Sequence, residues 1–281
     1  MRVALVLITL AAAVVNGALG YGFSSITVPL ALFFLTNRVL NPALVPIEVA
    51  LNAYVLWANR AAWPLVSRRV LAVVAGLAPG VIGGTMLVSR LSPDWLKLST
   101  FAALLPLVLL QAAGYRRPVR DERVVGALFG GGIGLLYAAT TISGPPLALA
   151  LNNQGLSKEE FRAALGFVRL AESTMTAAAY AAAGLFTHES AMLVPQILPS
   201  LAVGVPLGGV LIRHVQPETF RRMCMSFDAW IVAFGISTLL RELEIVDSRA
   251  AYGVLAIVIV LDAWLLYRFF RRGPTATLSP R

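Results

Sequence analysis

Nine apolar segments separated by short polar loops constrain this chain more than any other feature of its sequence. A run of ~20 apolar residues is what a helix needs to cross the hydrocarbon core of a bilayer. The sequence therefore predicts an all-α polytopic membrane protein without a soluble domain. The segments cover approximately residues 3–35, 43–59, 70–89, 95–113, 124–151, 161–183, 191–212, 219–240 and 250–270.

Composition argues against several other classes of protein. Charged residues make up 13% of the chain, whereas soluble domains carry about a quarter. The net charge of +9 would indicate a nucleic-acid partner in a soluble protein, but arginines beside apolar spans are typical of loops that face anionic lipid. Cys224 is the only cysteine, the two histidines are far apart, and no nucleophile–base pair is visible. We therefore expect lipid contacts, but no nucleic acid, metal, cofactor or enzymatic activity.

The two halves of the chain share two blocks of similar sequence in the same order. Residues 80–94 align without a gap with residues 204–218, and residues 29–32 align with residues 146–149. Internal duplication is typical of secondary transporters, although chance similarity between Gly- and Ala-rich helices is the competing explanation. The predicted units are a first repeat at 1–113, a cytoplasmic basic linker at 114–123, a second repeat at 124–240, and an extra C-terminal helix and tail at 241–281.

Segments 3–35 and 124–151 have an unusual length. Each is longer than one crossing of ~20 residues but short for two, and each carries Gly and polar residues at its middle. In one interpretation each is a single long helix. In the other each is a re-entrant or broken-helix hairpin of two half-helices that returns to its own side, which lipid tolerates only where protein or water covers the irregular backbone.

The distribution of Lys and Arg favours the hairpin interpretation. Single crossings would place ten of these residues on one side and twelve on the other, whereas hairpins place sixteen against six, as the positive-inside rule expects. Hairpins also leave three full crossings in each half. Because this number is odd, the second repeat has the opposite orientation in the membrane to the first. We therefore predict two inverted repeats, each a hairpin plus three transmembrane helices, followed by one extra helix. The N-terminus would lie outside and the C-terminus in the cytoplasm.

The second half-helix of each hairpin is predicted to begin near Ser24 and Ser25 and near Ser143 and Gly144. A helix start offers free N–H groups and a partial positive charge, so it favours an anion. Hydroxyl groups there, including that of Thr141, can cap the helix or bind a ligand oxygen. The alternative explanation is helix packing, because small residues are favoured wherever membrane helices touch.

Arg169 is the strongest single candidate for a ligand contact. Its guanidinium presents a fixed fork of donors that suits an oxyanion, and a charge inside an apolar segment is costly and usually functional. An ion pair with Glu172 or with Glu48 is the alternative, and either carboxylate could orient Arg169 or carry a coupling proton. Asn52, the rough repeat counterpart of Arg169, completes the predicted substrate site.

Asp228 and Asp262 lie in the last two apolar segments. Carboxylates inside a membrane segment have a partner or a function in most cases. We expect these two to be structural, close to an interface or paired with neighbouring residues.

Two stretches carry a resemblance to a known family. The first is the Gly-rich stretch 16–29, which runs into a proline, and the second is the Gly-Pro-Pro break 144–146 with the continuation Leu-Ser-Lys-Glu-Glu-Phe-Arg at 156–162. Together with the duplicated architecture up to about Leu240, they resemble the sulfite exporter TauE/SafE family, also called the TSUP family.

The resemblance implies a bacterial inner-membrane secondary transporter for small sulfur-containing anions such as sulfite, thiosulfate or organosulfonates, with export as the favoured direction. The predicted helix starts and Arg169 suit an anion of this kind. Two alternatives stay open. One is a channel-like or cation-coupled permease that uses intramembrane carboxylates, and the other is a membrane-embedded assembly factor. Homodimer formation is also left open.

Overall fold

The computed structural model describes residues 2–113, 124–152 and 156–272. Within these ranges the chain is almost entirely helical and contains no β-strand, which confirms the all-α prediction. The predicted linker at 114–123 and the tail beyond residue 272 lie outside the described residues. The α-helices are α1 (Arg2–Leu19), α2 (Phe23–Ala31), α3 (Asn37–Ala58), α4 (Trp63–Arg90), α5 (Pro93–Ala112), α6 (Val124–Thr140), α7 (Gly144–Asn152), α8 (Lys158–Ala182), α9 (His188–Leu211), α10 (Pro217–Glu242) and α11 (Gly253–Arg272).

Seven helical stretches of the described chain are long and apolar enough to cross a membrane. The number equals the predicted number of full crossings, but the set differs. The 18 residues of α1 qualify, whereas α8, which carries charged residues along its length, does not. A multi-pass membrane protein is thus supported by length and composition, while the identity of the complete crossings stays a prediction.

Both unusual segments are broken where the sequence predicted. The first break covers residues 20–22, between α1 and α2, and the second covers residues 141–143, between α6 and α7. Gly20 and Gly22 have φ angles of 84° and 109°, and Thr141 has a φ of 58°. Glycine adopts such left-handed backbone without steric cost, whereas a threonine does so only where its surroundings hold it.

The glycines of the duplicated block form close helix crossings in both halves. A Cβ atom on Gly80 of α4 would lie 1.9 Å from the carbonyl oxygen of Gly131 in α6, and one on Gly208 of α9 would lie 1.9 Å from that of Val14 in α1. Any larger residue would therefore push backbone against backbone. Such close approach is expected where membrane helices pack through small residues.

Contacts along the helices fix their relative directions. Gly76 of α4 lies against Ala127 of α6, and Gly84 lies against Leu135, so α4 and α6 run in the same direction. Arg38, at the start of α3, donates hydrogen bonds to carbonyl groups at the end of α4. Because a short turn also joins the end of α3 to the start of α4, these two helices run in opposite directions.

The central helices α3 and α8 are also antiparallel. Glu48 of α3 contacts Arg169 of α8, whereas Leu56, further along α3, lies against Gly166, which precedes Arg169. Since α8 then runs with α4 and α6, the chain between α6 and α8 must turn back. The hairpin interpretation of segment 124–151 requires this reversal, which therefore favours it.

Candidate functional site

A buried ion pair joins the two halves of the chain at the centre of the fold. Arg169 Nη2 lies 2.8 Å from Glu48 Oε1, and the two side chains are 2% and 0% exposed. Taking two charges out of water is costly, so such a pair persists only with good geometry and further hydrogen bonds. The sequence left Glu48 and Glu172 open as partners of Arg169, and the structure shows that Glu48 makes the direct ion pair.

Each helix break supplies a hydroxyl group to one buried carboxylate. Ser24, in the first turn of α2, donates a hydrogen bond to Glu48 Oε1, and Ser143, immediately before α7, donates to Glu172 Oε1. Both carboxylates are fully buried. The two breaks are thus tied in the same way to the long helices α3 and α8.

The two carboxylates hold similar positions relative to the breaks. Glu48 and Glu172 are 124 residues apart, the same separation as Gly80 and Gly204 in one of the aligned blocks. Asn52 and Arg169 are 117 residues apart, the same separation as Pro29 and Pro146 in the other block. The correspondence of Asn52 with Arg169 therefore stays a prediction.

The tips of the two breaks touch each other. A Cβ atom on Gly144 would lie 3.4 Å from the Tyr21 side chain and 3.9 Å from the backbone nitrogen of Gly22. Arg162, near the start of α8, lies beside Gly20, with its Nε 3.6 Å from a Cβ placed there. These contacts bring the two breaks together and place the charged side chain of Arg162 beside the first break.

Side chains from α3 and α8 satisfy the carbonyl groups that the second break leaves without helical partners. Asn41 Nδ2 donates to the carbonyl oxygen of Ala139 at 2.8 Å, and the Tyr180 hydroxyl donates to that of Ala138. The last carbonyls of any helix need such partners when they are buried. The end of α6 is therefore held in place from both sides.

Several polar atoms of α3 and α8, including those of Arg169, have no hydrogen-bond partner within the described residues. They are all buried, so each of them could bind a water molecule or a ligand atom, as buried polar groups normally do. Two of the three guanidinium nitrogens are among them. The atoms are Arg169 Nε and Nη1, Glu48 Oε2, Glu172 Oε2, Asn52 Nδ2 and Thr176 Oγ1.

This centre holds more acidic groups than basic ones. The cluster holds one guanidinium and two carboxyl groups, and the fully buried Tyr137 is close enough to interact electrostatically with all three. An additional anion would meet net negative charge while both carboxyl groups are ionised. Tyr137 was missed in the sequence because a tyrosine in an apolar run carries no signal of its own.

The structure separates the remaining predicted residues. The Thr141 hydroxyl donates to the carbonyl oxygen of Thr140 at 2.7 Å, within the second break. Asn52 is buried on α3, and Gly144 begins α7 at the contact of the two breaks. Ser25 lines a small cavity together with Asp228. A substrate role for all of these residues stays a prediction.

The two aspartates of the last segments have different surroundings. Asp262 of α11 pairs with Arg222 of α10 at 2.6 Å, and both side chains are buried. This pair attaches the extra C-terminal helix, in agreement with the expected structural role. Asp228 is 8% exposed, and no hydrogen bond or ion pair to its carboxyl group is found among the described residues. Those residues also contain no cluster of three His, Cys, Asp or Glu side chains that could hold a metal ion.

These features define a multi-pass helical membrane protein whose polar centre lies between two helix breaks. The model of the family described as Sulfite exporter TauE/SafE matches residues 5–236. The chain therefore belongs to the TauE/SafE family of membrane transporters, which confirms the resemblance seen in the sequence. No similar chain was found among curated proteins or among solved structures. The matched region ends before α11 begins.

Proposed function

We propose that this protein is a secondary transporter that exports small sulfur-containing anions, such as sulfite, thiosulfate or organosulfonates, across the bacterial inner membrane. The observation that carries this proposal is the position of Arg169. Its side chain is 2% exposed, and two of its nitrogens have no partner in the described part of the chain. Ser24 donates a hydrogen bond to Glu48, the carboxylate that pairs with Arg169.

The groups around Arg169 suit an oxyanion. A guanidinium can donate two parallel hydrogen bonds to a sulfonate or sulfite group. The first turns of α2 and α7 add backbone N–H groups at the positive ends of two helix dipoles. The substrate would lie between the breaks, held by Arg169 and by the hydroxyl or amide groups of the predicted residues. These are Ser24, Ser25, Asn52, Thr141, Ser143 and the backbone of Gly144.

Charge balance links anion binding to a proton. An anion can replace Glu48 as the partner of Arg169 only if the displaced carboxylate is protonated or moves to another donor, since an unpaired charge at this depth is costly. Glu48 and Glu172 are the carboxyl groups within the site that could take up this proton. The bound state would then hold one anion, one cation and at least one neutral carboxyl group.

The proposed topology has seven full crossings and two hairpins, with an external N-terminus and a cytoplasmic C-terminus. The directions of α3, α4, α6 and α8 and the asymmetric distribution of Lys and Arg support it. Alternating access would come from one repeat rocking against the other, as in transporters built from inverted repeats. The ion pair between α3 and α8 lies where the two repeats meet.

Binding to the purified protein tests this function. Thermal-shift and calorimetric titrations would use sulfite, thiosulfate, sulfoacetate, taurine, sulfate and formate. We expect a sulfur-containing anion to stabilise the wild type, and the double variant Arg169→Ala/Glu48→Gln to lose that binding. The second substitution is needed because removing Arg169 alone leaves Glu48 without its cation.

Glu48→Gln alone is the matched control for this experiment. It keeps the Arg169 guanidinium and removes the carboxylate that competes with the anion for it. We therefore expect an anion affinity equal to or higher than that of the wild type. Unchanged affinity in the double variant would refute the role of Arg169. No stabilisation by any of the anions would refute the proposed substrate class.

A second function is favoured by the excess of carboxyl groups over cations. In this alternative the protein is a channel-like or cation-coupled permease, and Glu48 and Glu172 line the path. A fall in cation flux in Glu172→Gln, with no further fall when Arg169→Ala is added to that variant, would favour this alternative. Loss of anion flux with Arg169 would favour the first proposal.

A further inference from the structure

A small cavity lies beside the first break. Its volume of about 20 Å³ is enough for about one water molecule. Residues of the first break and of α1, α2, α5, α7 and α10 line it. The polar and charged side chains of the lining are those of Tyr21, Ser25, Arg221, Cys224 and Asp228.

Asp228 is the group in this cavity that the proposed function does not use. Its side chain is 8% exposed, and the described residues offer its carboxyl group no hydrogen bond or ion pair. An isolated carboxylate is costly to bury, whereas its protonated form is much less so. Carboxyl groups of this kind inside membrane segments mark proton paths.

The other titratable and charged side chains that face this cavity are few. Arg221 and Cys224 lie on α10 itself, and Tyr21 lies in the first break. The parts of α1, α5 and α7 that line the cavity contribute only apolar residues, which are Val15, Leu19, Val108 and Pro145. Asp228 is therefore the one carboxyl group among the described lining residues.

The first turn of α2 contacts both the ion pair and the cavity. Ser24 donates a hydrogen bond to Glu48. Ser25, the next residue, lines the cavity of Asp228, since successive residues of a helix point in directions about 100° apart. A change that moves α2 at one of these sites therefore also moves its contact at the other.

We propose that Asp228 binds a second proton that is coupled to anion transport, in addition to the proton taken up by Glu48 or Glu172, at a site separate from Arg169, and that α2 connects the two sites. When Asp228 binds or releases its proton, the charge beside the start of α2 changes, and Ser24 then holds or releases Glu48. The inference rests on the proposed anion transport. It adds a carboxyl group outside the anion site as the place where this second proton is taken up.

Transport in liposomes tests the inference, with radiolabelled thiosulfate and sulfoacetate as probes. Two reactions are compared in the full-length protein. Counterflow exchanges labelled for unlabelled anion without net proton movement, whereas uptake driven by a pH gradient requires the proton site. We expect Asp228→Asn to keep counterflow within about twofold of the wild type and to reduce gradient-driven uptake about tenfold or more.

Asp94→Asn is the matched control, because Asp94 is exposed at the start of α5. It should leave both reactions unchanged. Gradient-driven uptake that survives in Asp228→Asn would overturn the inference, and so would a folded Asp228→Asn protein that loses both reactions. Absence of counterflow of both probes in the wild type would instead refute the proposed transport function, and this outcome is distinct from the two that overturn the assignment of Asp228.

A measurement on the wild type covers the case in which Asp228→Asn does not fold. Dicyclohexylcarbodiimide modifies protonated carboxyl groups in apolar surroundings, and mass spectrometry locates the modified residue. We expect modification of the peptide that contains Asp228, increasing as the pH is lowered, with a parallel loss of gradient-driven uptake. Inhibition without modification of Asp228 would overturn the inference.

Discussion

Arg169 on α8 lies 2.8 Å from Glu48 on α3, and this contact joins residues 121 positions apart in the chain. Glu48 also accepts a hydrogen bond from Ser24. One carboxylate therefore connects the cation of the second half to the helix break of the first half. Any movement of the two halves relative to each other must change this contact, which makes it the natural place to test both the stability and the function of the protein.

Removing Arg169 alone should destabilise the protein more than removing the whole pair. Arg169→Met leaves Glu48 buried without a cation, which costs about 3–5 kcal/mol. Arg169→Met/Glu48→Gln leaves no unpaired charge and should recover most of that loss. Unfolding midpoints in detergent measure both. A double variant as unstable as Arg169→Met would show that the pair does not act as a unit.

The crossing of α1 and α9 should tolerate no side chain at Gly208. A Cβ atom there would lie 1.9 Å from a backbone oxygen of Val14, whereas one on the neighbouring Gly209 would meet nothing within 4 Å. We expect Gly208→Ala to lower the melting temperature strongly. Gly209→Ala should be neutral or stabilising by up to about 1 kcal/mol, because alanine is the better helix former. Equal effects of the two substitutions would contradict this packing.

The serines of the two breaks should behave alike. Ser24→Ala and Ser143→Ala each remove a hydroxyl donor from a buried carboxylate, and a hydrogen bond to a charged group contributes about 1.5–3 kcal/mol. We expect similar losses of stability in the two variants. Ser25→Ala is the control, since no hydrogen bond from Ser25 to either carboxylate is found among the described residues. Double-mutant cycles with Glu48→Gln and Glu172→Gln measure each coupling, and a coupling near zero at either break would refute its assignment.

The pair of Arg222 and Asp262 should hold α11 on the rest of the protein. Arg222 also donates from Nη1 to Ser226 at 2.9 Å, so both of its terminal nitrogens have partners. Arg222→Met should destabilise the protein by about 3–5 kcal/mol, because Asp262 stays buried and unpaired. Arg222→Met/Asp262→Leu should restore stability and leave anion binding unchanged. Failure of this rescue would mean that Asp262 has another partner.

Labelling of single cysteines distinguishes the two topologies. In a background of Cys224→Ala, Ser92→Cys reports on the loop between α4 and α5, and Gln216→Cys reports on the loop between α9 and α10. The hairpin topology places these loops on opposite sides of the membrane, whereas single crossings place them on the same side. We expect an impermeant thiol reagent to label only Ser92→Cys in intact cells. Labelling of both positions would refute the hairpins.

Much of this protein follows from its sequence alone. Apolar runs of ~20 residues leave few options other than membrane helices, and glycines or a Gly-Pro-Pro motif inside such a run break the helix because of local backbone preferences. The breaks at residues 20–22 and 141–143 and the family were therefore predictable. So was the burial of Arg169, since a charge in an apolar run must face protein or water.

The partners of these residues were decided only by the tertiary structure. Nothing in the local sequence shows that Arg169 pairs with Glu48, that Ser24 and Ser143 serve equivalent carboxylates, or that Asp228 faces a cavity. These contacts depend on how helices distant in sequence cross, and the crossings depend on close packing between backbones such as that of Gly208 against Val14. Sequence periodicity predicts which residues are buried, but the mutual arrangement of the helices decides which buried groups meet.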